Sequence, residues 1–174
     1  YAFDGCSKLD NVVIPEGVTT INGYTFRNCT SLTNIDIPDS VTSIGSYAFS
    51  GCKKLIYSLD IRKATSIGSS AFHYCTSITS VDISSASTIG SYAFQGCRNM
   101  TQVSLCSGLT SIGDYAFSRT GLQNVVLPDG LQSIGESAFA STNLVSLIIP
   151  ASVTYIDCYA FEYNINLTAV YCMP

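Results

Sequence analysis

The chain has 174 residues, of which 47% are hydrophobic and only 11% are charged, and its formal net charge at pH 7 is −4. No apolar run approaches the roughly 18–20 residues that a membrane-spanning helix needs, so we predict no transmembrane segment in this sequence. A pI near 4.6 argues against a nucleic-acid partner, because such proteins normally present a basic stripe to the phosphates.

The phenylalanines mark a repeat that runs through the whole chain. Their successive spacings are 23, 23, 23, 22, 23, 22 and 22 residues. An aromatic residue at one fixed period indicates a single supersecondary unit copied along an axis, which is a solenoid. We predict that the rings form a buried spine in offset contact. The column consists of Phe3, Phe26, Phe49, Phe72, Phe94, Phe117, Phe139 and Phe161.

In chain order, the first predicted element of each unit is a short strand. The pattern Leu-x-x-Ile-x-Ile, as in residues 32–37, has the period-two alternation of a strand with one buried face. Proline follows at four of these strands and ends them, because it has no N–H for a ladder. The third unit holds an extra residue around Ile56-Tyr57-Ser58, which we assign to a loop.

The second element is a tight turn around Gly-Ser-Tyr-Ala-Phe. Its first position is glycine in most units, and the outer units have Asn22 and Asp157 there. Gly, Asn and Asp tolerate positive φ, so we predict a left-handed backbone at this position. The segment is too short for a full helix and predicts one helical or 3₁₀ turn. The glycine column consists of Gly45, Gly68, Gly90, Gly113 and Gly135.

The pattern A-F-x-x-C-x-x-L-x-x-I-x-I-P-x-x-V-x-x-I-G resembles the BspA-like, or treponemal-type, leucine-rich repeat, in about seven and a half copies. The resemblance implies a right-handed solenoid of 22–23-residue units, with a parallel β-sheet on one face and short strands and helical or 3₁₀ turns on the other. It also implies a cell-surface or secreted protein, often of host-associated bacteria and linked to adhesion, with no shared catalytic motif. Since the chain opens inside a repeat, we interpret residues 1–174 as a single domain, a fragment of a longer protein.

Cysteine is the first candidate for chemistry. Five of the eight cysteines share one column, three residues after Phe, and that spacing arises from the repeat itself. There is no Cys-x-x-Cys pair and no histidine partner for zinc, so we favour free, buried thiols that act as small hydrophobes. Stacked strands lie within disulfide reach, so some disulfide remains an alternative, with a metal the least favoured. The column consists of Cys6, Cys29, Cys52, Cys75 and Cys97.

No catalytic constellation is present in the sequence. His73 is the only histidine, and no serine lies in a Gly-x-Ser-x-Gly elbow. No glycine-rich phosphate loop occurs either, and a short solenoid has few deep pockets. We therefore predict no enzymatic activity and no cofactor, and we place His73 on the surface of the turn opposite the main sheet.

The outward-facing positions of the main strands are the predicted binding surface. In Leu-x-x-Ile-x-Ile, the two residues that flank the middle Ile point to solvent. Side chains differ most between repeats in these two columns, which favours a binding function. The predicted contact residues are Asn34, Asp36, Ser58, Asp60, Ser80, Asp82, Gln102, Ser104, Val126, Ile148 and Tyr171.

Two groups within these columns stand out. Asp36, Asp60 and Asp82 occupy consecutive repeats, and like charges facing each other across strands are destabilising, so a cation or a basic partner is one interpretation. The alternative is a solvated face that water, Arg62 and Lys63 screen. The second group is apolar, at Val126, Ile148 and Tyr171. It is either a contact surface or a face that a further repeat or a cap covers.

We therefore predict a non-enzymatic, adhesin-like binding module at the cell surface or outside the cell, which presents its sheet face to a protein or glycan. One alternative is a structural spacer, for which uniform outward columns are expected. Another is an accessory repeat region of a larger secreted multidomain protein, possibly an enzyme. The chain is expected to be a monomer or to associate end to end through uncapped termini.

Overall fold

The computed structural model describes residues 1–55 and 58–173, and the predicted extra residue around 56–58 lies partly outside them. Over these residues the chain is a parallel-strand β-solenoid of about seven turns with no helix. This confirms the predicted leucine-rich-repeat array. Among the described residues no helix has the length and hydropathy to cross a bilayer.

Most turns of the solenoid contribute a strand to each of two different sheets, and the strands are short because the chain changes direction after a few residues. In chain order they are β1 (Asn11–Val13), β2 (Thr20–Ile21), β3 (Asn34–Asp36), β4 (Ser43–Ile44), β5 (Ser58–Asp60), β6 (Ser66–Ile67), β7 (Ser80–Ile83), β8 (Thr88–Ile89), β9 (Gln102–Leu105), β10 (Ser111–Ile112), β11 (Ser133–Ile134), β12 (Ser146–Ile149), β13 (Tyr155–Ile156) and β14 (Ala169–Cys172).

One sheet is continuous along the solenoid and is built from the two-residue strands. Its order is β2-β4-β6-β8-β10-β11-β13, with every pair parallel. The isoleucines of neighbouring repeats pair with each other, as in Ile44↔Ile67 and Ile67↔Ile89. They are buried from Ile21 to Ile134, so this sheet forms one wall of the core. We call it the continuous sheet.

The other sheet carries the outward columns and is interrupted twice among the described residues. Its strands form the groups β1-β3, β5-β7-β9 and β12-β14, all parallel. One interruption lies between β3 and β5, beside the extra residue. The other lies at residues 122–127, which form no strand although their sequence repeats the Leu-x-x-Val-x-Leu pattern. We call it the interrupted sheet.

The phenylalanine spine runs through the centre of the core, as the spacing predicted. Neighbouring ring centroids are 5.2–5.6 Å apart, and their planes differ by at most 13°. The five rings from Phe49 to Phe139 are fully buried, whereas Phe3 is 46% exposed. The alanine that precedes each inner ring is also buried.

The glycine column does not have the left-handed backbone that we predicted. Positive φ occurs two residues later instead, for example 58° at Tyr47 and 63° at Tyr92. Glycine is required because stacked backbones approach each other closely: a Cβ at Gly68 would lie 2.5 Å from the amide nitrogen of Ser46. A side chain would collide with the turn of the preceding repeat, so a close contact between repeats is what requires glycine in this column.

The turns around each phenylalanine also differ from the predicted helical or 3₁₀ turn. Ala48 N donates to Gly45 O at 3.2 Å, and Cys52 N donates to Phe49 O at 3.0 Å, so successive i→i+3 turns are present. Left-handed residues at Tyr47 and Gly51 interrupt the run on both sides of the ring. A 3₁₀-helix needs negative φ at each position, and none forms in the described residues.

Candidate binding surface

The structure places the predicted contact residues on the strands of the interrupted sheet, except Val126, which lies in the segment between β9 and β12 that forms no strand on this side. Ser58, Ser80 and Gln102 follow one another in register, and Asp60, Asp82 and Ser104 form the second column beside them. Each is exposed or half-exposed, and each alternates with a buried residue such as Leu59 or Val81. The period-two pattern therefore identified the outward side of these strands correctly. Asn34, Asp36, Val126, Ile148 and Tyr171 are exposed as well.

Two of the aspartates have a local structural role. Asp60 Oδ1 accepts a hydrogen bond from Arg62 N at 3.2 Å, and Asp82 Oδ1 accepts one from Ser84 N at 3.0 Å. Arg62 and Ser84 stand where four other repeats have proline, which has no N–H to satisfy. The carboxylates therefore cap backbone donors that proline would remove. This signal was visible in the sequence, since these two repeats lack the proline after the strand.

The three aspartates do not form a common group in the structure. Asp60 and Asp82 are register partners on β5 and β7, whereas Asp36 lies on β3, beyond the first interruption. No three His, Cys, Asp or Glu side chains among residues 1–55 and 58–173 are grouped closely enough to hold a metal ion. Arg62 also lies 3.4 Å from Asp60 in an ion pair whose two side chains are each 57% exposed. Water and this cation reduce the like-charge repulsion.

The interruptions open two clefts in the outward face. The first has a volume of about 420 Å³, and its charged lining consists of Glu16, Asp36, Asp39, Asp60, Arg62 and Lys63. The second has a volume of about 620 Å³ and lies between β9 and residues 123–126, with Gln102, Ser104 and Asn124 in its wall. The face is therefore a sheet with two openings, one charged and one mainly polar.

The C-terminal third of the outward face is apolar. Val126 is 85% exposed, Ile148 56% and Tyr171 61%. Ile148 and Tyr171 are direct register partners on β12 and β14, and Val126 occupies the same column one repeat earlier. We call these three residues the apolar strip. The described residues of the solenoid therefore leave these three side chains largely uncovered.

The buried cysteines make a hydrogen bond that the sequence did not suggest. Cys52 Sγ donates to Phe26 O at 3.0 Å, and Cys75 Sγ donates to Phe49 O at 3.1 Å. Each thiol thus links its turn to the phenylalanine of the repeat before, in addition to filling space. The eight cysteines are free thiols, but Cys6 is exposed, so our prediction of a buried column was wrong at its first member.

We expect thiol reactivity to divide the cysteines by burial. At about pH 8, Cys6, Cys158 and Cys172 should react with Ellman's reagent first, because the thiolate is the nucleophile and only accessible thiols form it readily. Cys29, Cys52, Cys75 and Cys97 should react only after unfolding in guanidinium chloride. Rapid modification of all eight in the folded protein would contradict the buried column.

The same thiols make stability depend on pH. Burial raises the pKa of Cys52 and of Cys97 from the ordinary 9.0 to about 12. Because the folded-state pKa is higher than the unfolded one, the neutral thiols contribute their full stabilisation below pH 9. That contribution is lost as the pH rises from 9.0 through about 12.

His73 lies on the turns, as predicted, but it is only half-exposed. Its Nε2 is 2.9 Å from Gln95 Oε1 of the next repeat, and its ring is 4.3 Å from the Tyr74 ring. Burial lowers the pKa of His73. The neutral imidazole therefore has a structural role, as a link between neighbouring turns.

Comparison with known families and structures agrees with this architecture. The family described as "BspA type Leucine rich repeat region (6 copies)" matches residues 1–88 and 87–174. A search of curated proteins found no significant match.

Several solved structures share the fold. A leucine-rich cell surface protein from Faecalibacterium prausnitzii is 30% identical with a TM-score of 0.76, and the match covers 94% of this chain and 48% of that one. A leucine-rich repeat protein from Bacteroides ovatus is 26% identical with a TM-score of 0.67, covering 99% of this chain and 57% of the other. The chain thus spans about half the length of these relatives.

The family match extends over the whole sequence, and the columns that define it are the ones that pack the core. Phe, Ala, Cys and Gly recur because each repeat must stack on the next, and the structure shows each of these contacts. The chain belongs to the BspA-type leucine-rich-repeat proteins.

Proposed function

We propose that the chain is a non-enzymatic binding module of a cell-surface protein and that the interrupted sheet is its contact face for a protein partner. The apolar strip is the observation that carries this proposal. Its three side chains are exposed in consecutive repeats, and contiguous apolar side chains on a soluble surface mark contact sites.

The surroundings of the strip resemble a protein interface in composition. Such interfaces combine an apolar centre with a polar rim, and aromatic residues such as Tyr171 are enriched in them. Asn124, Ser146 and Gln102 supply uncharged polar groups along the neighbouring column. The Faecalibacterium structure is named as a cell surface protein, which supports the proposed location.

The two alternative functions are a structural spacer and an accessory region of a larger protein. A structural spacer needs outward columns that repeat as uniformly as the core, but the second column runs from Asp60 and Asp82 through Ser104 to the apolar strip. An accessory role beside an enzymatic domain is compatible with the same contact face. The spacer alternative does not account for exposed apolar side chains in three successive repeats.

A triple variant tests the proposal. We expect the wild-type chain to bind at least one member of a panel of purified extracellular-matrix proteins in biolayer interferometry, with a Kd in the ~1 μM range. The substitutions Val126→Ser, Ile148→Ser and Tyr171→Ser together should weaken that binding at least about tenfold, since interface anchors typically contribute more than about 1 kcal/mol each.

The matched control lies on the other sheet of the solenoid. Thr20→Ala, Thr88→Ala and Ser111→Ala change three exposed residues of the continuous sheet, and binding should stay within about twofold of wild type. Equal losses in both triple variants, or no binding to any panel member, would count against the sheet face. A wild-type chain that self-associates in sedimentation, and loses this with the strip variant, would indicate a second copy as the partner.

A further inference from the structure

A second aromatic ladder runs along the surface, two residues before each phenylalanine. Tyr24 stacks on Tyr47 with ring centroids 4.9 Å apart, and Tyr92 stacks on Tyr115 at 4.9 Å with planes only 2° apart. Every described member after the first has positive φ, between 50° and 63°. This backbone fixes the direction of each side chain, so the tyrosines superpose from repeat to repeat.

The ladder is broken at two serines, Ser70 and Ser137. Ser137 keeps the positive φ of the column but supplies no ring, and it is buried. A cavity of about 330 Å³ lies at this break, with Tyr115 on one side and Tyr159 on the other. The cavity therefore occupies the place of a missing ring.

The rest of the cavity wall is mostly polar, with Ala140 and Tyr163 as its apolar and aromatic members. Glu136, Glu162, Arg119 and Gln95 border it, with Ser137 between the two tyrosines. Tyr115 Oη donates to Glu136 Oε1 at 2.7 Å, and Glu136 N donates to Asp114 Oδ1 at 3.0 Å, so this part of the wall is held in place. Two tyrosines of different repeats thus border a space whose edge carries two carboxylates, a guanidinium and an amide.

A pyranose ring has flat apolar faces and hydrogen-bonding groups around its edge. Its C–H faces pack on aromatic rings, and its hydroxyls can donate to carboxylates and accept from a guanidinium. A phenylalanine side chain also fits between two rings, but it has no hydroxyls that could bond to the polar groups around the edge. The polar wall therefore favours a sugar.

We propose that this cavity binds a single hexopyranose unit of a glycan, stacked between Tyr115 and Tyr159. The site lies on the turns, away from the interrupted sheet, so it is independent of the proposed protein contact face. It gives the module a second specificity, for carbohydrate, that does not need the apolar strip.

The two serines provide a matched pair of variants. Ser137→Tyr restores the missing ring and should fill the cavity, and five described tyrosines in the same column have φ of 55–63°, close to the 50° of Ser137. Ser70→Tyr makes the same chemical change at the other break, where φ is 56°. Tyr159→Ala removes one stacking face without touching the core, because that side chain is exposed.

Saturation-transfer-difference NMR on the intact chain is the test, with glucose, galactose, mannose and N-acetylglucosamine as probes. We expect transfer to the ring protons of at least one sugar, with a Kd of ~1 mM, and a loss of at least about tenfold in affinity for Ser137→Tyr and for Tyr159→Ala. Ser70→Tyr should stay within about twofold of wild type. Thermal unfolding by circular dichroism checks that each variant is folded, and Tyr159→Ala alone decides the outcome if Ser137→Tyr does not fold.

Three results would overturn the proposal. The first is no transfer to any of the four sugars at about 10 mM. The second is sugar binding that Tyr159→Ala leaves unchanged. The third is binding of N-acetylphenylalanine amide, used as the aromatic probe, without binding of any sugar, which would assign the cavity to an aromatic side chain instead. Loss of protein binding in the strip variant leaves this test unaffected, so the two proposals fail separately.

Discussion

Replacing Phe94 with alanine is expected to lower the free energy of unfolding by about 3–5 kcal/mol. Phe94 is fully buried, and its ring centroid is 5.3 Å from Phe72 and 5.5 Å from Phe117, with both pairs within 4° of parallel. Truncation leaves a cavity between two stacked rings and removes two aromatic contacts, each contributing about 0.5–1.5 kcal/mol beyond burial. Urea unfolding followed by far-ultraviolet circular dichroism measures the change.

The control for this substitution is Phe3→Ala in the same column. Phe3 is 46% exposed and stacks on only one described ring, Phe26, at 5.4 Å. We expect a loss of about 1 kcal/mol there, because less surface is buried and only one ring contact is removed. If Phe94→Ala were no more destabilising than Phe3→Ala, the spine would not be the centre of the core.

Replacing Gly90 with alanine should also destabilise the fold strongly, by about 1–3 kcal/mol or more, although alanine adds only one methyl group. The new Cβ would lie 2.5 Å from Ser69 N and 2.8 Å from the carbonyl carbon of Gly68. The turn cannot easily withdraw, because Gly90 N donates to Ile67 O at 2.8 Å and the β6–β8 register fixes the strand before it. The collision is with backbone, which cannot rotate away as a side chain can.

Gly108→Ala is the matched control for Gly90→Ala. A Cβ at Gly108 would meet only Cys106 Sγ, at 3.6 Å, which is an ordinary contact. We expect a change within about 0.5 kcal/mol, or a slight stabilisation from reduced freedom of the unfolded chain. Equal effects of the two substitutions on the urea midpoint would show that close stacking is not what requires glycine.

The sequence was sufficient to predict the features that depend on periodicity. The 22–23-residue spacing of Phe identified the solenoid, and the period-two pattern identified which residues of β5, β7 and β12 face outward. These predictions succeed because burial of one face of a strand depends on alternation within a few residues. The core column from Phe49 to Phe139 follows from the same local rule, repeated along the chain.

The features that depend on contacts between repeats could not be obtained in this way. Residue preferences placed the left-handed backbone at Gly45, whereas the structure places it at Tyr47, since contact with the turn below decides where glycine is needed. The lack of a strand at 122–127 also has no local signal, because the segment has the same pattern as its neighbours. The cavity at Ser137 did have a local signal, because a serine replaces tyrosine in a regular column. Only the stacking of the tyrosines in the structure links this replacement to a cavity.

The candidate site was predicted only in part. The outward columns were correctly identified as surface, but the sequence reasoning did not include the caps that Asp60 and Asp82 form at Arg62 and Ser84. The apolar strip was visible from the sequence, and the structure shows that its three side chains are exposed.

We infer that the repeating columns hold the fold and that the outward columns are free for binding. The test compares the urea midpoint of the strip variant, Val126→Ser with Ile148→Ser and Tyr171→Ser, with the urea midpoint of Phe94→Ala. We predict that three lost apolar side chains on the outward face change the free energy of unfolding by less than about 1 kcal/mol, while the single core substitution costs about 3–5 kcal/mol. A strip variant that is destabilised as much as Phe94→Ala would show that these residues pack against the solenoid and would contradict the claim.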